Sequence, residues 1–188
     1  SACDLHYTLP LFEQFNLSLL FVEYQGYAAD TQRSSAEGIL ANVDAVISYL
    51  QAQGYSTIVV YGQSLGVGPA SYHAAQDNID GLILVSGFSS FADVAKEIYW
   101  MVPVDLLLTE QYLPAHWLSN STASLLLIHG SNDTVISARH SSRLYHQLTS
   151  SKKKLVIVEG YGHHDLWSSE VFIMSLSQFL SSLLVEAE

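Results

Sequence analysis

A serine flanked by glycines is the first feature of this sequence that could do chemistry. Residues 62–66 read Gly-Gln-Ser-Leu-Gly, and they follow a β-branched run at residues 56–61 that is typical of a buried strand. This pattern predicts a tight strand-to-helix turn that holds Ser64 in a strained conformation, with the two glycines leaving room for neighbouring chain. The Leu65 amide at the start of the helix would then face a developing oxyanion. The pattern indicates acyl transfer at Ser64, and an ordinary glycine-rich turn is the alternative.

Two later loops contain an acid and a base that could activate this serine. A serine hydroxyl reacts only when a base removes its proton, and an acid must hold that base in one tautomer. Asp133 follows the apolar run at residues 124–129, and His163 follows the run at residues 154–159. Because the carboxyl ends of parallel strands meet at one edge of a sheet, we expect both side chains to reach Ser64.

Each of these assignments has a competitor. Asp93 is the second candidate for the acid, and Asp133 could instead cap a helix or brace a turn. His164 competes with His163, but the glycine before His163 favours the latter because it lets the chain turn inward. His129 ends a predicted strand and is interpreted as a packed, hydrogen-bonded residue. The remaining histidines lack metal-ligand spacing with carboxylates, which argues against a zinc site. A serine hydrolase needs no cofactor, so none is expected.

The apolar periodicity predicts an α/β fold that positions these residues. Short apolar runs predict strands at residues 17–24, 56–61, 81–86, 124–129 and 154–159. Between them, apolar residues recur at helical spacing. Ser34 and Glu37 form a capping box for a helix that Gly54 ends. Repeated strand and helix predict a doubly wound, mostly parallel sheet in a single domain over residues 1–188.

Residues 91–122 interrupt this alternation. They contain more apolar surface than an exposed connection tolerates, including Trp100, Met101 and residues 106–108. We interpret them as a small helical cap over the active site, with a crossover helix packed on the sheet as the alternative. An apolar cap favours a substrate with an apolar acyl group.

The composition excludes several other classes of protein. The chain has 188 residues, of which 49% are hydrophobic, enough for one domain with a sizeable core. A net charge of -11 argues against a nucleic-acid groove. Cys3 is the single cysteine, which rules out an internal disulfide and suggests a reducing compartment. No apolar run approaches the ~20 residues that span a bilayer, and no signal-peptide pattern is present. We expect a protein that is cytoplasmic or peripheral to a membrane on its cytosolic side.

Three blocks of this sequence resemble the α/β-hydrolase superfamily. They contain Ser64, Asp133 and His163 in the chain order of that superfamily, and they are residues 61–66, 129–136 and 158–163. Residues 23–27 resemble, with Glu in place of Asp, a loop of the branch that includes acyl-protein thioesterases, which remove palmitate from cysteine. The branch usually has asparagine where this chain has His164. The resemblance implies a serine hydrolase that forms an acyl-enzyme without a cofactor.

The resemblance also implies a segment ahead of the first residue. Residues 1–5 resemble the stretch that follows a His-Gly pair at the exit of an earlier strand, and that strand would lie between residues 17–24 and 56–61 in the sheet. We therefore expect an amino-terminally truncated chain, whose gap in the sheet must close, be filled or destroy the fold. Ser1 would occupy the second oxyanion position, where a chain start has an amine instead of an amide.

The sequence thus predicts a hydrolase of esters or thioesters of apolar acyl groups, with protein depalmitoylation as a specific case. The alternatives are a serine peptidase of the prolyl-oligopeptidase type and a catalytically impaired protein that binds a partner through unpaired strand edges. The expected partners are a small-molecule or acylated-protein substrate and no nucleic acid. Membrane contact is expected only through the missing amino-terminal region.

Overall fold

A parallel β-sheet is the centre of the structure. The computed structural model describes residues 9–13, 15, 17–27, 30–76, 79–101, 103–104, 108 and 112–186. Within these residues the sheet has four parallel strands in chain order, namely β1 (Val59–Gln63), β2 (Gly81–Val85), β3 (Ser124–Gly130) and β4 (Lys153–Val158). Each predicted run from residue 56 onward overlaps one of these strands, so the parallel α/β architecture is confirmed.

Helices precede, connect and follow the strands. The helices whose bounds lie within the described residues are α1 (Leu9–Glu13), α2 (Ala36–Ala52), α3 (Val67–Gln76), α4 (Phe91–Ile98), α5 (Pro114–Trp117), α6 (Arg139–Gln147) and α7 (Glu170–Glu186). Short 3₁₀ turns occupy Ser64–Gly66, Leu118–Asn120 and Leu166–Ser168. No helix of the described residues combines the length and the apolar character that crossing a bilayer requires.

Alternate side chains of the strands enter two separate hydrophobic layers, because successive strand residues point to opposite faces. Leu84 of β2 belongs to one cluster with Val67 of α3 and Leu144 of α6. Its neighbour Ile83 belongs to a second cluster with Phe172 of α7. All five residues of β2 are buried, as expected for a strand covered on both faces. This two-sided burial explains why the strands read as continuous apolar runs.

The predicted strand at residues 17–24 is wrong. This segment forms no ladder with another described strand, and Leu19, Leu20 and Phe21 are exposed. An apolar run becomes a strand only where a partner lies within hydrogen-bonding distance. Here an open cleft of about 730 Å³ is lined both by residues 17–22 and by β1. The cleft lies where the family resemblance places a further strand.

The first long helix begins one residue later than predicted. Ser35 is the N-cap of α2, and the Gly38 N–H donates to its hydroxyl over 3.1 Å. The predicted capping box of Ser34 and Glu37 is therefore wrong, because the serine one position further on takes that role. The end of the helix is confirmed: Gly54 follows it with a φ of 83°, a conformation that favours glycine.

Residues 91–122 pack on the sheet at both ends. Val94 of α4 and Tyr112 belong to the larger hydrophobic cluster. Between them Trp100 and Met101 are 79% and 77% exposed. Of the apolar residues 106–108, only Leu108 is among the described residues. Both interpretations of this segment, the helical cap and the crossover helix, stay predictions.

Candidate active site

Ser64 occupies the sharp turn that the sequence predicts after β1. Its φ is 53°, in the left-handed region that side chains with a Cβ rarely adopt. The 3₁₀ turn Ser64–Gly66 begins at this residue and leads directly into α3. The serine therefore lies at the carboxyl edge of the sheet, at the start of a helix, as a nucleophile elbow requires.

Close packing of β1 against α3 explains one of the two flanking glycines. A Cβ at Gly62 would lie 2.6 Å from the Ala70 Cβ and 2.6 Å from the Gly66 carbonyl oxygen, which is too close for any side chain. At Gly66 the closest atom to an added Cβ is the Tyr24 hydroxyl at 3.5 Å, an ordinary contact. The expectation that both glycines make room is confirmed for Gly62 and is wrong for Gly66.

The three predicted side chains form one continuous hydrogen-bonded chain. The Ser64 Oγ lies 3.1 Å from His163 Nε2, and His163 Nδ1 lies 2.7 Å from Asp133 Oδ2. A carboxylate can only accept a hydrogen bond, so His163 Nδ1 carries the proton and donates a hydrogen bond to Asp133. Nε2 is then left to accept the hydrogen of the Ser64 hydroxyl. His163 and Asp133 are each 8% exposed, which shields their hydrogen bond from water.

The competing candidates lie outside this chain of contacts. Asp93 is in α4, where it forms an exposed ion pair with Arg143 at 3.2 Å. His164 stacks edge-to-face on His163, with 5.0 Å between the ring centroids, and is exposed. The structure thus brings Asp133 and His163 to Ser64, and it places Asp93 and His164 elsewhere.

Both oxygens of the Asp133 carboxylate are held by several donors. Oδ1 accepts from the backbone N–H groups of Val135, at 2.9 Å, and Ile136, at 2.8 Å. Oδ2 accepts from the Ser86 hydroxyl at 2.9 Å and lies 3.2 Å from His129 Nε2, in addition to His163. The carboxylate braces its own loop, as the alternative interpretation expects, and it also contacts His163. Its role as the catalytic acid stays a prediction.

These contacts set the charge state of Asp133. Burial alone would raise the pKa of this carboxyl. The contacts with His129 and His163, together with the hydrogen bonds from the Ile136 amide and the Ser86 hydroxyl, outweigh the effect of burial. The net effect holds the pKa of Asp133 well below its ordinary value, so the carboxylate is charged at neutral pH.

Sequence reasoning missed two neighbours of the acid. His129 is packed and hydrogen-bonded as predicted, with Nδ1 2.7 Å from the Ser141 hydroxyl and Nε2 2.8 Å from the Ile136 carbonyl oxygen. Its approach to Asp133, four residues later, was not foreseen. Ser86 was predicted only as the last residue of a strand. Its position at the carboxyl end of the strand next to β1 is the signal that could have found it.

Of the two predicted oxyanion donors, Leu65 lies within the described residues and Ser1 does not. Leu65 is the second residue of the 3₁₀ turn, so its N–H lies in the first turn, where amides have no partner within the helix. Ser1 lies outside the described residues, and its predicted role stays a prediction. Within the described part of the chain, no group of three or more His, Cys, Asp or Glu residues could hold a metal ion.

Solved structures with the same arrangement of strands and helices decide the fold. A monoacylglycerol lipase of Paleococcus ferrophilus matches with a TM-score of 0.70 and 17% identity, over 94% of this chain and 89% of that one. Est1E of Butyrivibrio proteoclasticus, in a structure with bound ferulic acid, matches with a TM-score of 0.74 and 18% identity, over 94% and 81% of the two chains. This chain has the α/β-hydrolase fold. In this fold the carboxyl edge of the sheet, where Ser64 lies, is the usual place for a ligand.

The curated relatives that match this sequence are longer than this chain. An uncharacterised protein of Mycobacterium tuberculosis is 31% identical over 174 residues, which are 90% of this chain and 62% of that protein. The mouse alpha/beta hydrolase domain-containing protein 17C is 27% identical over 181 residues, or 92% and 53% of the two chains. The chain thus spans less than two thirds of the length of these relatives. No family model matches it.

Replacing Gly62 with alanine should abolish the reactivity of the turn, because the added Cβ would lie 2.6 Å from both the Ala70 side chain and the Gly66 backbone. Gly66→Ala is the matched control, since its Cβ meets only the Tyr24 hydroxyl at 3.5 Å. Labelling of Ser64 by a fluorophosphonate probe measures the effect. We expect labelling to be lost in Gly62→Ala and kept in Gly66→Ala. Equal labelling of the two variants would contradict the packing argument.

The depressed pKa of Asp133 should make folding sensitive to acid. A group whose folded pKa lies below its unfolded value of about 3.9 contributes its full stability above that pH and loses it as the pH falls towards the folded value. The free energy of unfolding of the wild type should therefore fall more steeply below about pH 4 than that of Asp133→Asn. Urea unfolding from neutral to acid pH measures both curves.

The control for this experiment is Asp93→Asn, which removes the exposed carboxylate that pairs with Arg143. Its pH profile should follow the wild type. Identical acid slopes for the wild type and Asp133→Asn would show that the buried carboxylate does not contribute in the way described.

Proposed function

We propose that this chain is a serine hydrolase that cleaves an ester or thioester of an apolar acyl group through an acyl-enzyme. One observation carries the proposal: the Ser64 hydroxyl lies 3.1 Å from a His163 nitrogen that can accept its proton, and Asp133 holds the other nitrogen at 2.7 Å. Both distances lie within the reach required for proton transfer between a nucleophile and its base.

Acylation begins with the loss of the serine proton. His163 Nε2 takes that proton while the Ser64 oxygen attacks the carbonyl carbon of the substrate. The carbonyl oxygen becomes an oxyanion, to which the Leu65 N–H donates a hydrogen bond. Asp133 stays ionised and stabilises the imidazolium ion that has formed. When the tetrahedral intermediate collapses, the alcohol or thiol leaves with the proton from Nε2, and the acyl group remains on Ser64.

Deacylation repeats these steps with water as the nucleophile. Nε2 takes a proton from water as the water oxygen attacks the acyl carbon. The serine oxygen then leaves and recovers its proton from Nε2, which releases the carboxylic acid and restores the enzyme. Every proton in this cycle passes through the same nitrogen, His163 Nε2.

Three features support an apolar acyl substrate. Residues 23–27 resemble the loop of acyl-protein thioesterases, which makes protein depalmitoylation our specific proposal. Trp100 and Met101 expose apolar side chains in the segment after α4, the predicted cap. The structural neighbours include a monoacylglycerol lipase and the protein Est1E with bound ferulic acid. The substrate would be an acylated protein or a small acyl ester, met in the cytoplasm or at the cytosolic side of a membrane.

Replacing Ser64 with alanine should abolish both covalent labelling by a fluorophosphonate probe and hydrolysis of p-nitrophenyl esters. The expected loss in kcat is about 10⁴-fold or more, because the nucleophile is removed while the rest of the site is kept. Ser71→Ala is a matched control, since Ser71 is a fully buried serine seven residues further on in α3 and its hydroxyl has no hydrogen-bond partner in the described structure. Labelling that persists in Ser64→Ala would remove Ser64 from its proposed role.

A comparison of substrates separates this proposal from its alternatives. A palmitoylated cysteine peptide and long-chain p-nitrophenyl esters should be hydrolysed faster than an acetyl ester, whereas a peptide amide should not be cleaved. Cleavage of the peptide amide in preference to the esters would favour the peptidase. No reaction with the probe in a protein that unfolds cooperatively would favour the impaired, partner-binding protein.

A further inference from the structure

Ser86 shares an unusual backbone conformation with the proposed nucleophile. Among the described residues other than glycine, only Ser64 and Ser86 have positive φ angles, of 53° and 51°. β1 and β2 are parallel and pair Gln63 with Val85, so each of the two serines follows its strand at the same level. Two neighbouring strands, β1 and β2, are therefore each followed by a serine in the left-handed backbone conformation. Ser64 is the proposed nucleophile, and Ser86 has no role in the proposed reaction so far.

The positive φ of Ser86 is an unfavourable backbone conformation that its surroundings must stabilise. Glycine adopts this conformation readily, whereas a side chain with a Cβ does so rarely. Strained residues of this kind are held by their surroundings and cluster at functional sites. Ser86 is fully buried, and its hydroxyl donates to Asp133 Oδ2 over 2.9 Å. The conformation thus places a hydroxyl, which glycine lacks, against the carboxylate.

The acceptor of this hydrogen bond is the oxygen that faces the histidine. Asp133 Oδ2 also accepts from His163 Nδ1 at 2.7 Å. His129 approaches the same oxygen, but its Nε2 is 2.8 Å from the Ile136 carbonyl oxygen and 3.2 Å from Oδ2. A carbonyl oxygen can only accept, so the Nε2 proton of His129 is directed mainly to Ile136. Ser86 is then the closer of the two additional donors to Oδ2.

We propose that Ser86 is a positioning residue for the hydrolase proposed above, on which this inference rests. Its hydroxyl fixes Asp133 Oδ2 in the direction from which it accepts the His163 Nδ1–H. Without this donor the carboxylate keeps its two backbone hydrogen bonds through Oδ1 and the longer 3.2 Å contact of Oδ2 with His129, and Oδ2 is held less firmly. His163 would then lose its fixed orientation towards Ser64. The line of contacts that aligns the base therefore has four side chains, from Ser64 through His163 and Asp133 to Ser86.

Two substitutions at Ser86 separate the hydroxyl from the backbone strain. Ser86→Ala removes the hydroxyl and keeps the Cβ, whereas Ser86→Gly removes the hydroxyl and relieves the strain. If the hydroxyl positions Asp133, kcat for a p-nitrophenyl ester should fall about 10- to 100-fold in both variants, with little change in KM. Wild-type kcat in Ser86→Gly would overturn the proposal. Because Ser86→Gly suits the backbone, it also keeps the test valid if Ser86→Ala fails to fold.

Ser89→Ala is the matched control. Ser89 is a buried serine three residues later, and its hydroxyl has no hydrogen-bond partner among the described residues. Its removal should leave kcat close to the wild-type value. An equal loss of kcat in Ser89→Ala and Ser86→Ala would show a general effect of deleting a buried hydroxyl, and would contradict a specific role for Ser86.

A second readout does not depend on turnover. The proton between His163 Nδ1 and Asp133 should give a downfield proton NMR resonance, assigned by its absence in His163→Gln. We expect this resonance to move or broaden in Ser86→Gly and to stay unchanged in Ser89→Ala. A change of this kind in a protein without esterase activity would contradict the proposed function and support the positioning role. An unchanged resonance in Ser86→Gly, in a protein with normal esterase activity, would overturn the positioning role alone.

Discussion

The buried charge on Asp133 is the constraint on which the rest of the site depends. A carboxylate removed from water is stable only when hydrogen-bond donors surround it. Five groups approach it, from the end of β2, the end of β3 and the loops after β3 and β4: Ser86, His129, Val135, Ile136 and His163. The hydrogen bonds to this carboxylate therefore connect the carboxyl ends of three neighbouring strands, β2, β3 and β4. The same contacts orient His163, the proposed base, so the proposed reactivity and the stability of the site would have a common physical origin.

The parallel sheet makes this convergence possible. All four described strands end at one edge, and their register places the residue after β1 beside the residue after β2. The turn after β1 needs the absence of a side chain at Gly62, because α3 packs directly over it at Ala70. The hydroxyl of Ser64 is thus held by covalent geometry, whereas His163 and Asp133 are held by hydrogen bonds. If the loops that contain Asp133 and His163 were mobile, the distances from His163 to Ser64 and to Asp133 would not be kept.

Much of this arrangement could be predicted from residue types and spacing, because each prediction depended on local chemistry. The elbow is predicted from Gly62, two positions before Ser64, and Asp133 and His163 are predicted from their places after apolar runs. The failures have a different origin. Residues 17–24 look like a strand, but a strand depends on a partner that the local sequence does not specify. The contacts of Ser86 and His129 with Asp133 also escaped prediction, since they depend on strand order and side-chain direction. The packing around Gly66 could not be predicted either, because a sequence motif does not show how much room surrounds a residue.

A crystal structure of the protein after reaction with a fluorophosphonate would test the central claim most directly. The account predicts that fluoride is lost and that phosphorus is bonded to the Ser64 oxygen, with a phosphonyl oxygen accepting from the Leu65 N–H. His163 should lie within hydrogen-bonding distance of the adduct and still donate to Asp133. An adduct on another residue, or one on Ser64 with His163 and Asp133 separated, would contradict the account.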